Sequence, residues 1–326
     1  MRPALVAAIV VAATLCGRSA GDSSATAPAA ARHPSADSPA DDLRPTDPPA
    51  AGPPTAGPPT AAPTAAEPPA FRAAGGFPSI DAVQGVAVDA RHVYTVSNRA
   101  VSRHDGASGA RERRRVFARD AAGPGAPIVH LNGGVVHAGR LYAAHSDWPR
   151  VPTASAVEVF DTATLARVAS HPFGTRRGAL TWLDRHAGRW WAVFTDYGRV
   201  PPPAERGARE LVGTRLVAMD EAFAILRVWR FPGALLRRLA PMSNSGGSWG
   251  PDGRLWLTGH DRAEAYVVVP PADGDALEWR ATVALPGVEG QGIAWRRDAE
   301  APALYGVRRS RRHVVRLRPA RGGAAR

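Results

Sequence analysis

The chain has 326 residues, 41 of them basic, 29 acidic and one a cysteine, with a formal net charge of +12. Every basic residue is an arginine, spread through the chain rather than clustered with aromatics; this points to codon choice in a GC-rich genome and argues against a nucleic-acid binder, while leaving anionic envelope surfaces as a fit for the charge. The single cysteine excludes an internal disulfide, and all 22 aromatics fall at or after Phe71, so residues 1–70 have little with which to build a core.

At the N-terminus, Met1-Arg2 and the apolar run 4–15 have the pattern of an export signal over residues 1–20, too short for a permanent membrane span. Cys16 ends that run and is followed by Gly17, the position of a lipidated cysteine in a bacterial lipoprotein, although Leu15 stands where a small residue is favoured; Ser23-Ser24-Ala25 offers an ordinary cleavage site instead. Residues 21–70 contain 13 Pro and 15 Ala and read as an extended, disordered tether.

Residues 71–326 repeat themselves. Gly139-Arg-Leu-Tyr142 recurs as Gly188-Arg-Trp-Trp191 and Gly253-Arg-Leu-Trp256, each with an aspartate eight residues after the glycine: Asp147, Asp196 and Asp261. Weaker copies contain Tyr94 and Tyr305, and a Gly-rich apolar run precedes every copy. Third strands end in turn signals at Asp105-Gly106, Asp161-Thr162, Asp220-Glu221 and Pro270-Pro271. Repeats starting at 84, 132, 179, 247 and 291 are about one four-stranded unit apart, the signature of propeller blades. The expected fold is all-β: a single β-propeller of five blades with four antiparallel strands each, or six blades if the long third repeat hides strands within 199–213 or 233–244. Residues 70–74 precede the first inner strand and are expected to complete the last blade, which otherwise lacks an outer strand.

His130-Leu-Asn-Gly-Gly134, Ala144-His-Ser-Asp-Trp-Pro149, Val157-Glu-Val-Phe-Asp161, Ser243-Asn-Ser-Gly-Gly-Ser-Trp-Gly250, Thr258-Gly-His-Asp261 and Glu289-Gly-Gln-Gly-Ile-Ala-Trp295 together resemble a group of bacterial exported β-propeller proteins often labelled cycloisomerases, over residues 77–318. The resemblance implies a propeller and, more weakly, cycloisomerase or lactonase chemistry; it supplies no catalytic residues.

Inner-strand starts and the loops after second strands would gather polar residues at a channel mouth: Gln84, Asn98, His130, Asn132, His145, Asp147, Asp196, Tyr197, Asn244, His260, Asp261, Glu289 and Gln291. Lactone chemistry needs a proton donor or acceptor, for which His145, His260 or Glu289 would serve, and a cation for the substrate carboxylate, such as Arg308. His130, Asn132, Asn244, Gln84, Gln291 and Tyr197 are the candidate substrate contacts. The repeated aspartates are better explained as turn caps. Glu289, Asn132 and Asn244 offer oxygens suited to Ca²⁺ or Mg²⁺, as in gluconolactonase-like propellers, whereas no His/Cys spacing suggests zinc. The reading is thus an extracytoplasmic propeller taking a small polar ligand in its central channel. The alternative is a non-catalytic envelope scaffold whose rim binds a protein or an anionic polymer.

Overall fold

The computed structural model describes residues 67–118, 124–195, 197, 211, 213–297 and 301–320. The expected export signal, Cys16, most of the expected tether, Asp196 and nearly all of the 199–213 insertion lie outside the described residues.

The first strand, β1 (Phe71–Pro78), belongs to the last blade. Blade 1 is β2 (Gly85–Val88), β3 (His92–Ser97), β4 (Ala100–Asp105) and β5 (Arg111–Val116); blade 2 is β6 (His130–His137), β7 (Arg140–Ser146), β8 (Ser155–Asp161) and β9 (Arg167–Gly174). Blade 3 comprises β10 (Ala179–His186), β11 (Arg189–Thr195), β12 (Arg215–Met219) and β13 (Ile225–Arg230), and helix α1 (Gly233–Leu239) follows it. Blade 4 comprises β14 (Gly246–Trp249), β15 (Leu255–Thr258), β16 (Glu264–Val269) and β17 (Glu278–Ala284). Blade 5 is β18 (Ala294–Arg296), β19 (Ala303–Arg308) and β20 (His313–Pro319), completed by β1. The described residues therefore form a five-bladed propeller, closed as expected by pairing an N-terminal strand with the C-terminal one, Phe71 opposite Pro319 and Pro78 opposite His313. Strand β1 starts at Phe71 and runs to Pro78, four residues beyond the expected end at 74. Among the described residues, the third repeat contributes α1 rather than a sixth blade.

The repeated sequence motif is explained by local backbone geometry. Ala138 and Gly139, and again Ala187 and Gly188, have positive φ at the hairpin between first and second strands, and Gly253 has the same φ of 72° as those two glycines. Two consecutive left-handed residues make the turn whose twist matches the strands it joins. The aspartates ending third strands cap the next turn: Asp105 accepts from the backbone N–H of Ala107 and Ser108, Asp161 from that of Thr164, and Asp220 from those of Ala222 and Ala224.

Five apolar clusters fill the five joints between blades. The joint of blades 3 and 4 is the richest in large rings, with Trp182, Trp191, Trp229, Trp249 and Tyr266. The closing joint of blades 5 and 1 is the thinnest, built from Ala82, Ala294 and Ala303 with valines and one Tyr. Two polar knots supplement it. Asp81, almost wholly buried, accepts from Ser97, Ser102 and the Arg114 guanidinium. Burial pushes its pKa up, but these bonds outweigh burial and hold the carboxyl below the usual value. The second knot ties Ser79 to Thr95 (2.8 Å) and to His104 Nε2 (3.0 Å), while His104 Nδ1 faces the Gly109 carbonyl at 3.1 Å. Since a carbonyl only accepts, Nδ1 carries the proton and Nε2 receives the Ser79 hydroxyl.

Candidate functional site

The expected open channel is absent at the level of the inner strands. A Cβ placed on Gly292 would lie 2.9 Å from Gly85 Cα and 3.0 Å from Gly133 Cα, and one on Gly247 would lie 2.5 Å from the Trp182 ring. Backbones this close admit no side chain, so the glycine-rich inner strands pack directly on the axis and close it. Any ligand at the axis must therefore sit on one face or the other.

Around this closed axis every joint is crossed by at least one hydrogen bond, some between backbones and others through side chains. Leu131 N–H donates to Asn98 O (2.9 Å) between blades 1 and 2, and Asn132 Nδ2 to Leu180 O (3.1 Å) between blades 2 and 3. Trp182 Nε1 donates to Asn244 Oδ1 (2.5 Å) between blades 3 and 4, and Thr258 Oγ1 to Gln291 O (2.5 Å) between blades 4 and 5. Gly292 N–H donates to Gln84 O (3.0 Å), completing the circle. Several candidate residues are thus part of the ring. Asn244 is fully buried, and its Nδ2 also bonds Gly246 O and Thr258 O, so its amide is saturated by the protein. Gln291, with φ of 66°, is buried and donates its backbone N–H to Gly259 O.

The face where inner strands begin does gather part of the expected set. His130 opens β6 opposite Ser146. Burial, the neighbouring His145 imidazole and, more weakly, that of His260 push its pKa down to about 4, against the hydrogen bond to Asn132, so His130 is neutral near pH 7. Beside it on this face, Gln84 Nε2 donates to Asn98 Oδ1 at 2.7 Å. Tyr197, with its ring 4.5 Å from that of Trp148, has its phenol pushed up to about 12 by burial and stays protonated. His260 is partly exposed, with Nδ1 2.8 Å from Asp261 and Nε2 3.0 Å from Arg309.

Other candidates are held elsewhere. His145 Nε2 accepts the Val129 N–H (3.1 Å), which directs its Nδ1 proton toward Glu158 Oε1 at 3.4 Å; Glu158 in turn binds Arg167 at 2.6 Å. Both ring nitrogens are therefore engaged in a buried network, and Glu158, absent from the sequence expectations, is its anion. Glu289 accepts from the Ser310 N–H and hydroxyl, bonds that hold its carboxyl below the usual range with support from Arg308 and Arg309. Arg308 Nε donates to Gly287 O. Of the repeated aspartates, Asp147 caps its loop through Ala154 N–H, whereas Asp261 pairs with Arg309 and His260.

The proposed cation oxygens are spent on three different partners: Asn132 on His130, Asn244 on the Trp182 indole and Glu289 on Ser310. Arranged this way they do not form the shell of a Ca²⁺ or Mg²⁺ ion, which needs six or more converging oxygens. Among the described residues no group of three His, Cys, Asp or Glu side chains could hold a metal.

The opposite face has a cleft of about 310 Å³ over the axis, lined among others by Asp89, Asp184, Ser248, Trp295 and Arg297. Its buried Asp184 accepts from Ser248 Oγ, Trp249 N–H, Arg185 N–H and Arg297, so this carboxylate acts as a structural tie across three blades. The sequence pattern gave no sign of it.

No protein-family profile and no curated protein matches the chain. Among solved structures it is similar to the glutaminyl cyclase of Myxococcus xanthus, with 12% identity over 77% of this chain and 98% of that one and a TM-score of 0.51. It is also similar to the PQQ-bound aldose sugar dehydrogenase of Streptomyces coelicolor, with 15% identity over 81% and 84% of the two chains and a TM-score of 0.44. At these identities the likeness establishes the propeller fold alone.

Proposed function

We propose that the protein binds a small polar ligand in the cup where the inner strands begin, above the closed axis, with neutral His130 as the central hydrogen-bonding group. The observation that carries this reading is a partly buried His130 imidazole at the start of inner strand β6, bonded to Asn132 and neighbouring His145 and, more distantly, His260, with its pKa depressed. A neutral imidazole donates or accepts one hydrogen bond without the desolvation cost of a charge, which suits a carbonyl or hydroxyl ligand. Cycloisomerase or lactonase chemistry would occur here, with His130 polarising a carbonyl; His145, His260 and Glu289 are each engaged by protein partners. A propeller enzyme named for a cyclisation, the Myxococcus xanthus protein, is compatible with this reading.

A thermal-shift screen of lactones, sugar acids and N-terminal glutaminyl peptides should find a stabilising ligand whose effect disappears in His130→Gln. A response unchanged by that substitution would move the site elsewhere. Independently, the depressed pKa makes His130 a source of stability that is fully present above pH 6.5 and lost as pH falls toward 4, because the unfolded chain binds the proton first. NMR titration of the His130 ring should give a midpoint near 4, and a midpoint near 6.5 would remove the neutral-imidazole argument.

Export and anchoring through Cys16 are likewise proposed, from the sequence pattern. Globomycin should block processing, and Cys16→Ser should release the protein into the medium; retention of the variant at the membrane would refute the lipid anchor.

A further inference from the structure

The two densest basic runs of the sequence, Arg111-Glu-Arg-Arg-Arg115 and Arg308-Arg-Ser-Arg-Arg312, lie about two hundred residues apart, yet ring closure brings them to one place. Strand β5 is the outermost of blade 1, and the connection between β19 and β20, a 3-10 turn at Arg309–Arg311 followed by Arg312, belongs to blade 5. The closing joint sets these two elements side by side. Between them opens a cleft of about 440 Å³ lined by Pro78, Ser79, Ile80, His104, Gly109, Arg111, Arg311 and Arg312.

The charge in this cleft is uncompensated. Its lining includes no carboxylate, and among the described residues none of Arg111, Arg311 and Arg312 forms an ion pair. The nearby acids are committed to other partners: Asp81 to Arg114, Glu112 to Arg103 and His92, Asp261 to Arg309, and Glu289 to the Ser310 N–H and hydroxyl. Arg312, in a left-handed conformation, donates to Ile80 O, which fixes the turn against the β1–β2 connection and leaves the cleft with a rigid wall. Its floor, Ser79 and His104, is held by the bonds already described and brings no negative charge.

We propose that this cleft is a binding site for a small polyanion, a ligand with two or more negative charges on phosphate or carboxylate oxygens. Guanidinium groups offer paired N–H donors matched to such oxygens, and gathering three of them without an anion is unfavourable by mutual repulsion. The volume suits a small molecule rather than a polymer chain. A bound anion would bridge blade 1 to blade 5 across the thinnest apolar joint, so binding stabilises the closed ring. This site is separate from the His130 cup and does not depend on the function proposed there.

The test is thermal unfolding and calorimetric titration of the full chain with pyrophosphate and with citrate, at ionic strength held constant with sodium chloride. At least one should raise the melting temperature by several degrees, and the stronger of the two identifies phosphate or carboxylate as the preferred oxygen source. Arg111→Ala/Arg311→Ala should weaken that ligand at least tenfold while leaving the unliganded melting temperature unchanged or higher. Arg72→Ala/Arg280→Ala, which removes two exposed arginines from outer strands of blades 5 and 4, should bind as the parent does. Arg311→Gln, which alters one exposed side chain, provides the same comparison if the double variant folds poorly. Equal binding by the cleft variants, or no shift beyond that of chloride, overturns the proposal. So does binding confined to polyphosphate chains or phosphatidylglycerol vesicles, since that would assign the arginines to a macromolecular surface.

Discussion

Gly292→Ala is expected to destabilise the protein by about 3 kcal/mol and to lower its melting temperature by roughly 6–12 °C. The added methyl meets the backbone of two other inner strands, at Gly85 and Gly133, rather than the end of a movable side chain. Relief requires the inner strands to part, which would strain the Gly292 N–H bond to Gln84 O and disturb the ring of bonds that fastens the blades at the axis. Gly253→Ala is the informative comparison. That glycine has φ of 72° and nothing within 4 Å of the added methyl, so its cost is about 1–2 kcal/mol and comes from the left-handed backbone alone. Denaturant midpoints for the two variants separate packing from conformation; equal losses would mean that the axis is looser than the glycine contacts imply.

Asp184→Ala is expected to cost about 3–5 kcal/mol, the range for breaking a buried ion pair by removing one partner. The carboxylate is almost wholly buried on blade 3, takes the Trp249 N–H (2.8 Å) and Ser248 hydroxyl (3.1 Å) of blade 4, and pairs with Arg297 (2.8 Å), which follows the inner strand of blade 5. Its loss leaves a backbone N–H without its acceptor and a partly buried guanidinium without its counter-charge. Asp184→Asn keeps two of these contacts geometrically available and should cost less than half as much. The denaturant midpoint of each variant measures the difference, and a loss under 1 kcal/mol for Asp184→Ala would show that water replaces the carboxylate readily.

The blade count and the closing strand were legible because each blade repeats a local code. A left-handed glycine marks the first hairpin in blades 2 to 4, an aspartate marks the third turn in blades 1 to 3, and alternating apolar residues mark the strands; all three act over a few residues. The axis was not legible in the same way. Gly85, Gly133 and Gly292 look like ordinary strand glycines in the sequence, and only their mutual approach across blades reveals that they close the channel. The same holds for the candidate site. Asn132, Asn244 and Gln291 were picked out as polar residues at strand starts, which is where they are, but their partners come from adjacent blades and occupy their polar groups. Glu158 and Asp184 were missed for the converse reason: each lies inside an apolar strand pattern, and no local signal distinguishes a buried tie from a solvated carboxylate. His145 differs from His130 through contacts to the Val129 N–H and to Glu158 that spacing does not encode.

The closing strand also bears on the order in which the molecule assembles. Blades 1 to 4 each pair strands that follow one another in sequence, whereas blade 5 is finished only when Phe71 finds Pro319. That contact encloses nearly the whole described chain, so its loop-closure entropy is the largest of any strand pairing; Phe71 then packs on Trp256 and Trp295, but the adjoining joint of blades 5 and 1 has the fewest large apolar side chains. Closure is therefore the late step of folding, and the same seam is the first to breathe in the native state. Amide protons of β1 and β20 should exchange with solvent through openings that leave blades 2 to 4 intact, making the propeller in kinetic terms an open arc held shut by one clasp.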